Sequence, residues 1–419
     1  MFKLILSIRF YLSLVMLLSF HLMGYTLFRN LSLALVSIVV LYNKDILNKV
    51  KSLLRNKTFW VLLLPFFCYA FSLLYTTDFL VGWKSLETKM SLLLFPVLFS
   101  LAKLKRNEFY LFLKTAVLII SVLPLIGFVN QFFLFQELGD TGLFYNDNLV
   151  SIFNKQAVYY AFYCNTALLL LIYLVEKNQL KSALSKVSGG IVFFLLIGAQ
   201  YLLASRTSMM VMVGILAAYL IWLVSKRLSR IQGVAAILGA VVLVIAMVSA
   251  FPKVLKRFES ITNIAYHYDN PNPINHFNGE IKKENWNGLN TRLALWSCAI
   301  EKIKEAPFLG YGIGDVQSEL VEKYEEKNFI LALKSNYNTH NQYLDILMTS
   351  GIFGLILFFV FLSYMVMIAF KSRNWLLLGF IVLFTISSVT ENMLNRNQGV
   401  VFIALFISLL CFNRKLTNC

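Results

Sequence analysis

The chain has 419 residues, of which 58% are hydrophobic, 15% aromatic and only 14% charged. A mean hydropathy of +0.70 and repeated long apolar runs exclude an ordinary soluble protein and predict an all-α, polytopic membrane protein. The net charge of +17 does not indicate nucleic-acid binding, because the basic residues lie in short loops between apolar segments.

About twelve apolar segments predict twelve transmembrane helices. The first two and the fourth have apolar runs below the roughly 20 residues that a straight span needs. Lys3 and Arg9 resemble the start of a signal peptide, but no small-residue cleavage site follows near Met23, so this segment is kept as the first helix. The predicted helices are 4–24, 26–42, 58–76, 89–102, 109–134, 154–175, 189–204, 207–224, 231–251, 351–370, 374–391 and 398–413.

Basic residues follow every even-numbered predicted helix, whereas Glu137, Asp140 and Asp147 lie in an opposite turn. The positive-inside rule therefore predicts that both termini are cytoplasmic and that the polar interval is outside. The predicted domains are 1–250 with helices 1–9, the outer domain 251–349, and 350–419 with helices 10–12. The basic residues are Lys44, Lys49, Lys51, Arg55, Lys57, Lys103, Lys105, Arg106, Lys177, Lys181, Lys186, Lys226, Arg227, Arg230, Lys371, Arg373, Arg414 and Lys415.

The cysteines are scattered, and only Cys298 lies in the polar interval. The sequence therefore predicts no disulfide framework and no CxxC metal site. The other four are Cys68, Cys164, Cys411 and Cys419.

In the outer domain the sequence predicts a loop followed by two amphipathic helices. Residues 251–268 continue the ninth helix, and 269–290 form an Asn/Pro-rich loop. Helices are expected over 291–305 and 316–333.

Gly310 and Gly312 lie in a glycine-rich run that opens the second of these helices. Such glycines can hold a phosphate at a helix N-terminus, but this run follows a helix rather than a strand, which excludes a dinucleotide fold. The alternative, a turn that needs positive φ at Gly310 or Gly312, is favoured.

His340 lies at the predicted start of a helix that enters the membrane near Gly351. Thr339 followed by Gln342 has the spacing of a capping box, which would place His340 in the first turn. The positive end of the helix dipole disfavours imidazolium, so His340 is expected to be neutral and to accept a proton or a hydrogen bond. The alternative is a histidine that only caps its own helix.

Three charged residues are predicted on the outer face, where the positive-inside rule does not explain them. Arg206 lies between the seventh and eighth helices, and Arg396 lies between the eleventh and twelfth. Glu391, at the outer end of the eleventh helix, is an ionisable group at membrane depth and therefore indicates function. The alternative is an Arg396–Glu391 pair that only stabilises a turn.

No metal site or cofactor is predicted, because the outer domain has no Asp-x-Asp pair and its other histidines, His267 and His276, form no cluster of metal ligands. Arginine can replace a metal, since its guanidinium binds phosphate oxygens bidentately. A sugar carried on a polyprenyl diphosphate fits this inventory. The diphosphate would lie near Arg206, Arg292 and Arg396, and His340 would orient or deprotonate an acceptor hydroxyl.

Three segments in this order resemble the bacterial O-antigen ligase and O-antigen polymerase superfamily. The resemblance implies a GT-C-like, metal-independent glycosyltransferase that uses an undecaprenyl-diphosphate-linked glycan, with Arg206, Arg292 and His340 in the active site. Gly310, Gly312, Asn341, Tyr343, Glu391 and Arg396 are assigned to substrate binding. The segments are Leu203-Ala-Ser-Arg-Thr-Ser; Asn290-Thr-Arg-Leu-Ala-Leu-Trp with Pro307-Phe-Leu-Gly-Tyr-Gly; and Thr339-His-Asn-Gln-Tyr-Leu with Gly351-Ile-Phe-Gly-Leu.

The resemblance leaves the acceptor open. A ligase joins finished polysaccharide to lipid A–core, a polymerase extends a lipid-linked chain, and related enzymes glycosylate proteins. A transporter of the same lipid-linked glycan is a further alternative, but it predicts internal repeats and polar residues at the bilayer midplane, and neither is found. A receptor or scaffold would not explain outward arginines beside a helix-start histidine.

Overall fold

The computed structural model describes residues 2–42, 46–226, 229, 231–233, 238–239, 267–270 and 286–417. Within these ranges no β-strand is found, and two 3₁₀ helices, Thr141–Phe144 and Asn146–Phe153, accompany the α-helices. The α-helices are α1 (Phe2–Leu22), α2 (Thr26–Leu41), α3 (Ile46–Leu54), α4 (Lys57–Ser72), α5 (Phe79–Lys89), α6 (Ser91–Leu101), α7 (Arg106–Leu138), α8 (Ala157–Glu176), α9 (Ala183–Leu203), α10 (Arg206–Lys226), α11 (Gly288–Glu305), α12 (Val316–Glu326), α13 (Ile330–Ser335), α14 (Gln342–Lys371), α15 (Trp375–Thr390), α16 (Asn397–Phe412) and α17 (Arg414–Thr417).

The lengths and apolar compositions of the helices are those of a membrane protein. In the described part of the chain, five helices, α7 to α10 and α14, are long and apolar enough to cross a bilayer. Shorter apolar helices include α2, α4, α15 and α16. The total of twelve spans stays a prediction, because the predicted ninth helix, 231–251, and its continuation over 251–268 lie largely outside the described residues.

The fourth predicted span differs from the structure. Residues 79–88, which the prediction places between the third and fourth helices, form α5 together with Lys89, and Met90 in right-handed helical conformation (φ −54°, ψ −25°) leads directly into α6. Lys84, Glu87 and Lys89 lower the hydropathy of α5, which concealed it. The segment 46–54, interpreted as a basic loop, likewise forms α3, whose Lys49 donates to the Leu101 carbonyl at 2.9 Å.

The predicted outer helix 316–333 is also divided. Asn328 adopts a left-handed conformation (φ 51°) that ends α12, and asparagine tolerates this region better than most residues. Phe329 then donates to the Tyr324 carbonyl at 2.7 Å, and α13 begins at Ile330.

Helices α11, α12 and α13, which belong to the predicted outer domain, enclose a hydrophobic core of their own. Trp286, Leu295, Tyr324 and Phe329 are buried in it together with Met348 of α14. This shared residue ties the outer domain to the membrane helix that carries the candidate site.

Asp315 attaches the outer domain to the turn between α4 and α5. Its carboxylate accepts hydrogen bonds from Thr76 Oγ1, from the Thr77 backbone N–H and hydroxyl, and from the Asp78 N–H. Burial opposes ionisation, but these four donors hold the pKa of Asp315 below its ordinary value. The carboxylate is therefore a charged clamp at neutral pH.

Hydrogen bonds sort the helix ends into two faces. One face holds the C-terminal ends of α1, α4 and α15 and the N-terminal ends of α8, α10, α14 and α16. Its bonds are His21–Gln398, Tyr75–Leu309, Tyr159–Asn392, Thr207–Thr390 and His340–Glu391, and the opposite face has Lys49–Leu101, Thr58–Tyr364, Tyr110–Leu416 and Asn374–Leu410. The candidate site lies on the first face.

We expect the first face to be external. A reporter fused at residue 280 should be active outside the cytoplasm, and one fused after residue 417 should be active inside, because the basic residues follow helix ends of the second face. Fusions made in full-length protein would be read with paired alkaline phosphatase and fluorescent reporters. A cytoplasmic signal at residue 280 would contradict every role assigned below to His340.

Candidate active site

Asn341 caps α14. Its side-chain oxygen accepts from the backbone N–H groups of Tyr343 (2.9 Å) and Leu344 (3.2 Å), as an N-cap residue does. The predicted capping box between Thr339 and Gln342 is therefore wrong, and His340 precedes the helix instead of lying in its first turn. His340 therefore lacks the position in the first turn from which the sequence predicts a neutral imidazole.

His340 has a left-handed backbone (φ 44°). Its N–H donates to the Asn338 side chain at 3.0 Å, and its ring stands edge-on to Tyr337 at 5.4 Å between centroids. A non-glycine residue in this region costs of order 1–3 kcal/mol and persists only where the surrounding structure fixes it. The side chain remains 24% exposed, so the ring is held firmly and is still accessible.

The loop between α15 and α16 is fastened to the start of α14. Buried Asn392 accepts from the Asn341 N–H and donates to Asp345 Oδ1 at 3.1 Å. Asn395 donates to the same oxygen at 2.6 Å, and the Leu394 N–H donates to Gln342 Oε1 at 2.7 Å. This network fixes the position of Glu391, the first residue of the loop.

Glu391 is the partner of His340. Its Oε2 lies 2.9 Å from His340 Nδ1, and its side chain is only 4% exposed. Burial disfavours the carboxylate, but His340, Arg292 and Arg396 hold the pKa of Glu391 below its ordinary value. The alternative of an Arg396–Glu391 pair that only stabilises a turn is therefore wrong, because Glu391 pairs with His340 instead. In the described part of the chain exposed Arg396 forms no ion pair with Glu391 and contributes only its nearby charge.

This pairing determines what the imidazole can do. A carboxylate that accepts the Nδ1 proton fixes the ring tautomer and leaves Nε2 with a lone pair. The same carboxylate stabilises the imidazolium that forms when Nε2 takes a proton. His340 and Glu391 thus have the arrangement of a general base with its orienting acid.

Arg206 and Arg292 meet beside this pair at Gly288. A Cβ added to Gly288 would lie 2.9 Å from Arg206 Nη2 and 3.4 Å from Arg292 Nη1, so both guanidinium groups border one point. Arg292 donates through Nη1 to the Gly288 carbonyl (2.9 Å) and through Nε to the Thr390 carbonyl (3.0 Å). Thr390 directly precedes Glu391, so the two cations adjoin the histidine pair.

Both arginines suit an anion. Burial lowers the pKa of Arg292, and Glu391 and Tyr337 oppose that effect, yet a guanidinium stays charged at neutral pH. Two charged forks around a glycine can bind two oxygens of a phosphate group each. The pair therefore has the chemistry of a diphosphate site.

Gly310 and Gly312 form the turn that precedes α12. Both have positive φ, 68° and 92°, as the favoured alternative required. A Cβ at Gly310 would lie 2.3 Å from the Met348 carbonyl oxygen, and Tyr311 donates to that oxygen at 2.7 Å. Gly310 therefore lets this turn contact α14 near its kink at Gly351, and Gly312 lets it approach Ser72 and Thr76 at the end of α4. Their part in substrate binding stays a prediction.

Tyr343 and Asn341 also have structural contacts. The Tyr343 hydroxyl donates to the Thr385 carbonyl at 2.9 Å and so joins α14 to α15. Asn341 is occupied by capping α14, as described above. Their assignment to substrate binding likewise stays a prediction.

Sequence reasoning missed Asp345 and Asn392. Asp345 is an acid in a helix that enters the membrane, and this alone marks it as a candidate for function. No local pattern distinguishes Asn392 from other loop asparagines.

The described residues contain no group of three or more His, Cys, Asp or Glu side chains placed to hold a metal ion. His267 is exposed, and His276 lies outside the described residues. Metal independence stays a prediction that needs a direct test.

A model of the O-antigen ligase family matches residues 191–359. The chain contains an O-antigen ligase domain. No curated protein matches the chain. The matched segment contains Arg206, Arg292 and His340 but ends before Glu391, so the O-antigen ligase domain receives the carboxylate partner of its histidine from outside the matched segment.

Glu391→Gln should lower glycan transfer about 10–100-fold, by analogy with carboxylates that orient metal-bound imidazoles. The amide keeps the shape but cannot stabilise an imidazolium. Transfer would be measured with purified protein at saturating substrates. Unchanged turnover would show that Glu391 does not support His340.

The pH dependence of this pair follows from the lowered pKa of Glu391. A depressed folded pKa contributes stability above the unfolded value of about 4.3, and that contribution is lost as pH falls through the lower folded value. The wild-type protein should therefore lose more thermal stability than Glu391→Gln on acidification below about pH 4.

Proposed function

We propose that this protein is a glycosyltransferase that moves a glycan from undecaprenyl diphosphate to an acceptor hydroxyl at the periplasmic face of the bacterial inner membrane. The proposal rests on one observation: the Arg206–Arg292 pair lies next to the His340–Glu391 pair, because Arg292 donates to the carbonyl of Thr390, which directly precedes Glu391. One pair suits a leaving diphosphate and the other suits an attacking hydroxyl. The O-antigen ligase domain supports the same class of activity.

On the donor side, the diphosphate lies against Arg206 and Arg292. Its negative charge grows as the bond from the anomeric carbon to the phosphate oxygen breaks. Fixed cations aimed at developing charge lower the barrier most, because they need no reorganisation during reaction. The lipid tail lies among the apolar helices, whose outer surface includes exposed Phe353 and Ile356.

On the acceptor side, His340 Nε2 takes the proton of the acceptor hydroxyl. The hydroxyl oxygen forms the new bond to the anomeric carbon, and the electron pair of the broken bond leaves on the diphosphate. Glu391 stabilises the resulting imidazolium through Nδ1. A single displacement of this kind inverts the anomeric configuration.

The acceptor we propose is lipid A–core, which makes the protein an O-antigen ligase in the strict sense. Deleting its gene and analysing surface lipids tests this directly. Loss of all long chains from lipid A, with lipid-linked polymer accumulating, supports the ligase. Single repeats on the core would instead identify a polymerase, and unchanged lipids would contradict both.

Transfer by the purified protein should survive EDTA. The proposed leaving-group stabilisation comes from two arginines, so no divalent cation is required in that step. Activity would be measured before and after chelation, and again with added Mg²⁺ or Mn²⁺. Strict recovery on adding either metal would place the enzyme in a metal-dependent class.

A further inference from the structure

A second basic cluster lies on the same face as the active site. It consists of His21 at the end of α1 and Lys155 just before α8, together with the nearby charge of Arg29 in α2, whose guanidinium also donates to Asn30 Oδ1 at 2.8 and 3.1 Å. The side chains of His21 and Lys155 are 2% and 8% exposed. His21 Nδ1 has no hydrogen-bond partner, and Lys155 has no ion pair or hydrogen bond from its Nζ among the described residues.

Gln398 holds this cluster together. Its side chain accepts from the Gln156 N–H at 3.1 Å and donates to the Asn154 carbonyl at 3.0 Å, on either side of Lys155. Its own carbonyl lies 3.2 Å from His21 Nε2. The segment before α8 is therefore fixed against the end of α1 by a residue of α16.

The cluster has an excess of positive charge. Burial, with a smaller contribution from Arg29, lowers the pKa of Lys155 to about 8, which is still above neutral. Asp147 is nearby, but its carboxylate accepts the Ala157 N–H at 2.5 Å and forms no ion pair with Lys155 within the described ranges. A buried cation without a counter-ion is costly, so an anionic ligand would be bound favourably.

Two tyrosines of α8 separate this cluster from the active site. The Tyr159 hydroxyl lies 3.5 Å from Glu391 Oε1, on the active-site side. The hydroxyl of Tyr163, one turn further along α8, lies 3.4 Å from His21 Nε2. The arginine pair adjoins Thr390, whereas the second basic cluster adjoins Gln398, so the region around the His340–Glu391 pair has two separate cationic sites.

We propose that the second basic cluster binds a phosphate group of the acceptor lipid, an inference that rests on the proposed function. Transfer needs two substrates on either side of the base, and the arginine pair already serves the donor diphosphate. A guanidinium and an ammonium together provide directional and point-charge contacts to phosphate oxygens.

The surroundings of Arg29 indicate a lipid rather than a free phosphate. Tyr25, one turn before Arg29 on the same side of α2, and the adjacent Phe28 are 52% and 51% exposed, and their rings meet edge-on with centroids 6.3 Å apart. An acyl chain can lie along these rings while its phosphate reaches Lys155.

A binding experiment tests the lipid phosphate directly. Full-length protein in phosphatidylcholine nanodiscs would be titrated with fluorescent phosphatidic acid. Lys155→Met should weaken binding about tenfold or more, since a hydrogen bond to a charged group contributes about 1.5–3 kcal/mol. Lys155→Arg should restore most of it, and Lys181→Met, an exposed lysine between α8 and α9, should have no effect.

Arg29→Gln provides a second variant if Lys155→Met fails to fold, and melting temperatures report folding in each case. Unchanged binding in a folded Lys155→Met or Arg29→Gln variant overturns the proposal. Displacement of phosphatidic acid by millimolar inorganic phosphate also overturns it, because the cluster would then accept free phosphate.

Kinetics separate this proposal from the proposed function. With native lipid A–core, Lys155→Met should raise the acceptor KM about tenfold or more while the donor KM stays unchanged. With phosphatase-treated acceptor, wild type and variant should have equal KM values. Normal wild-type transfer with an unchanged acceptor KM in the variant overturns the inference alone. Absent wild-type transfer with Lys155-dependent phosphatidic acid binding overturns the function alone.

Discussion

Replacing His340 by alanine is expected to lower glycan transfer about 10²–10⁴-fold, the usual contribution of a positioned general base, with donor binding nearly intact. The imidazole acts on the acceptor oxygen, whereas the donor diphosphate is held by Arg206 and Arg292. Single-turnover transfer and equilibrium binding of a lipid-diphosphate analogue would measure the two effects separately.

His340→Gln distinguishes a base from a structural residue. Glutamine can still donate to Glu391 but cannot take a proton, so the variant should fold and bind donor while remaining inactive. His267→Ala, in an exposed part of the outer domain, is the matched control and should keep full activity. An active His340→Ala enzyme with only a lowered melting temperature would show that His340 is structural.

The start of α14 shows how far local sequence patterns reach. Thr339 and Asn341 are both good N-cap residues two positions apart, so sequence alone gives the approximate start of the helix. Asn392 decides between them, because its side-chain oxygen lies 3.0 Å from Thr339 Oγ1 and accepts the Asn341 N–H. A residue so distant in the chain contributes nothing to a local pattern.

The pairing of Glu391 with His340 could not be predicted for a related reason. Each residue is recognisable by itself, one as an ionisable group at membrane depth and the other in the family motif. Hydropathy gives the length and direction of a helix but not its neighbours. The contact depends on α15 ending beside the start of α14, and only the packed structure shows this.

Helices α5 and α6 show what hydropathy can and cannot detect. Hydropathy detected α6 because it is uniformly apolar, and it missed α5 because Lys84, Glu87 and Lys89 interrupt the apolar run. Buried Lys89 lies 3.2 Å from Ser85 Oγ and 4.6 Å from the centre of the Tyr69 ring. These contacts accommodate the charge within the protein, a compensation that a hydropathy window cannot register.

Arg206→Ala and Arg292→Ala should each lower transfer about 10²–10³-fold, as removal of one charge-stabilising donor does in other electrostatic sites. Each loses a fork that faces the growing charge of the departing diphosphate. Because both guanidinium groups border Gly288, the double variant should lose less than the product of the single effects.

Lysine at either position should rescue activity only partly, since it keeps the charge and loses the bidentate geometry. Arg55→Ala, an exposed arginine on the opposite face, is the control and should leave turnover unchanged. The measurement is kcat/KM for the donor together with the affinity of a lipid-diphosphate analogue. If the lysine variants have full activity, the arginines contribute only their positive charge, and bidentate binding is not required. If the alanine variants transfer normally, the proposal that the diphosphate binds between Arg206 and Arg292 is wrong.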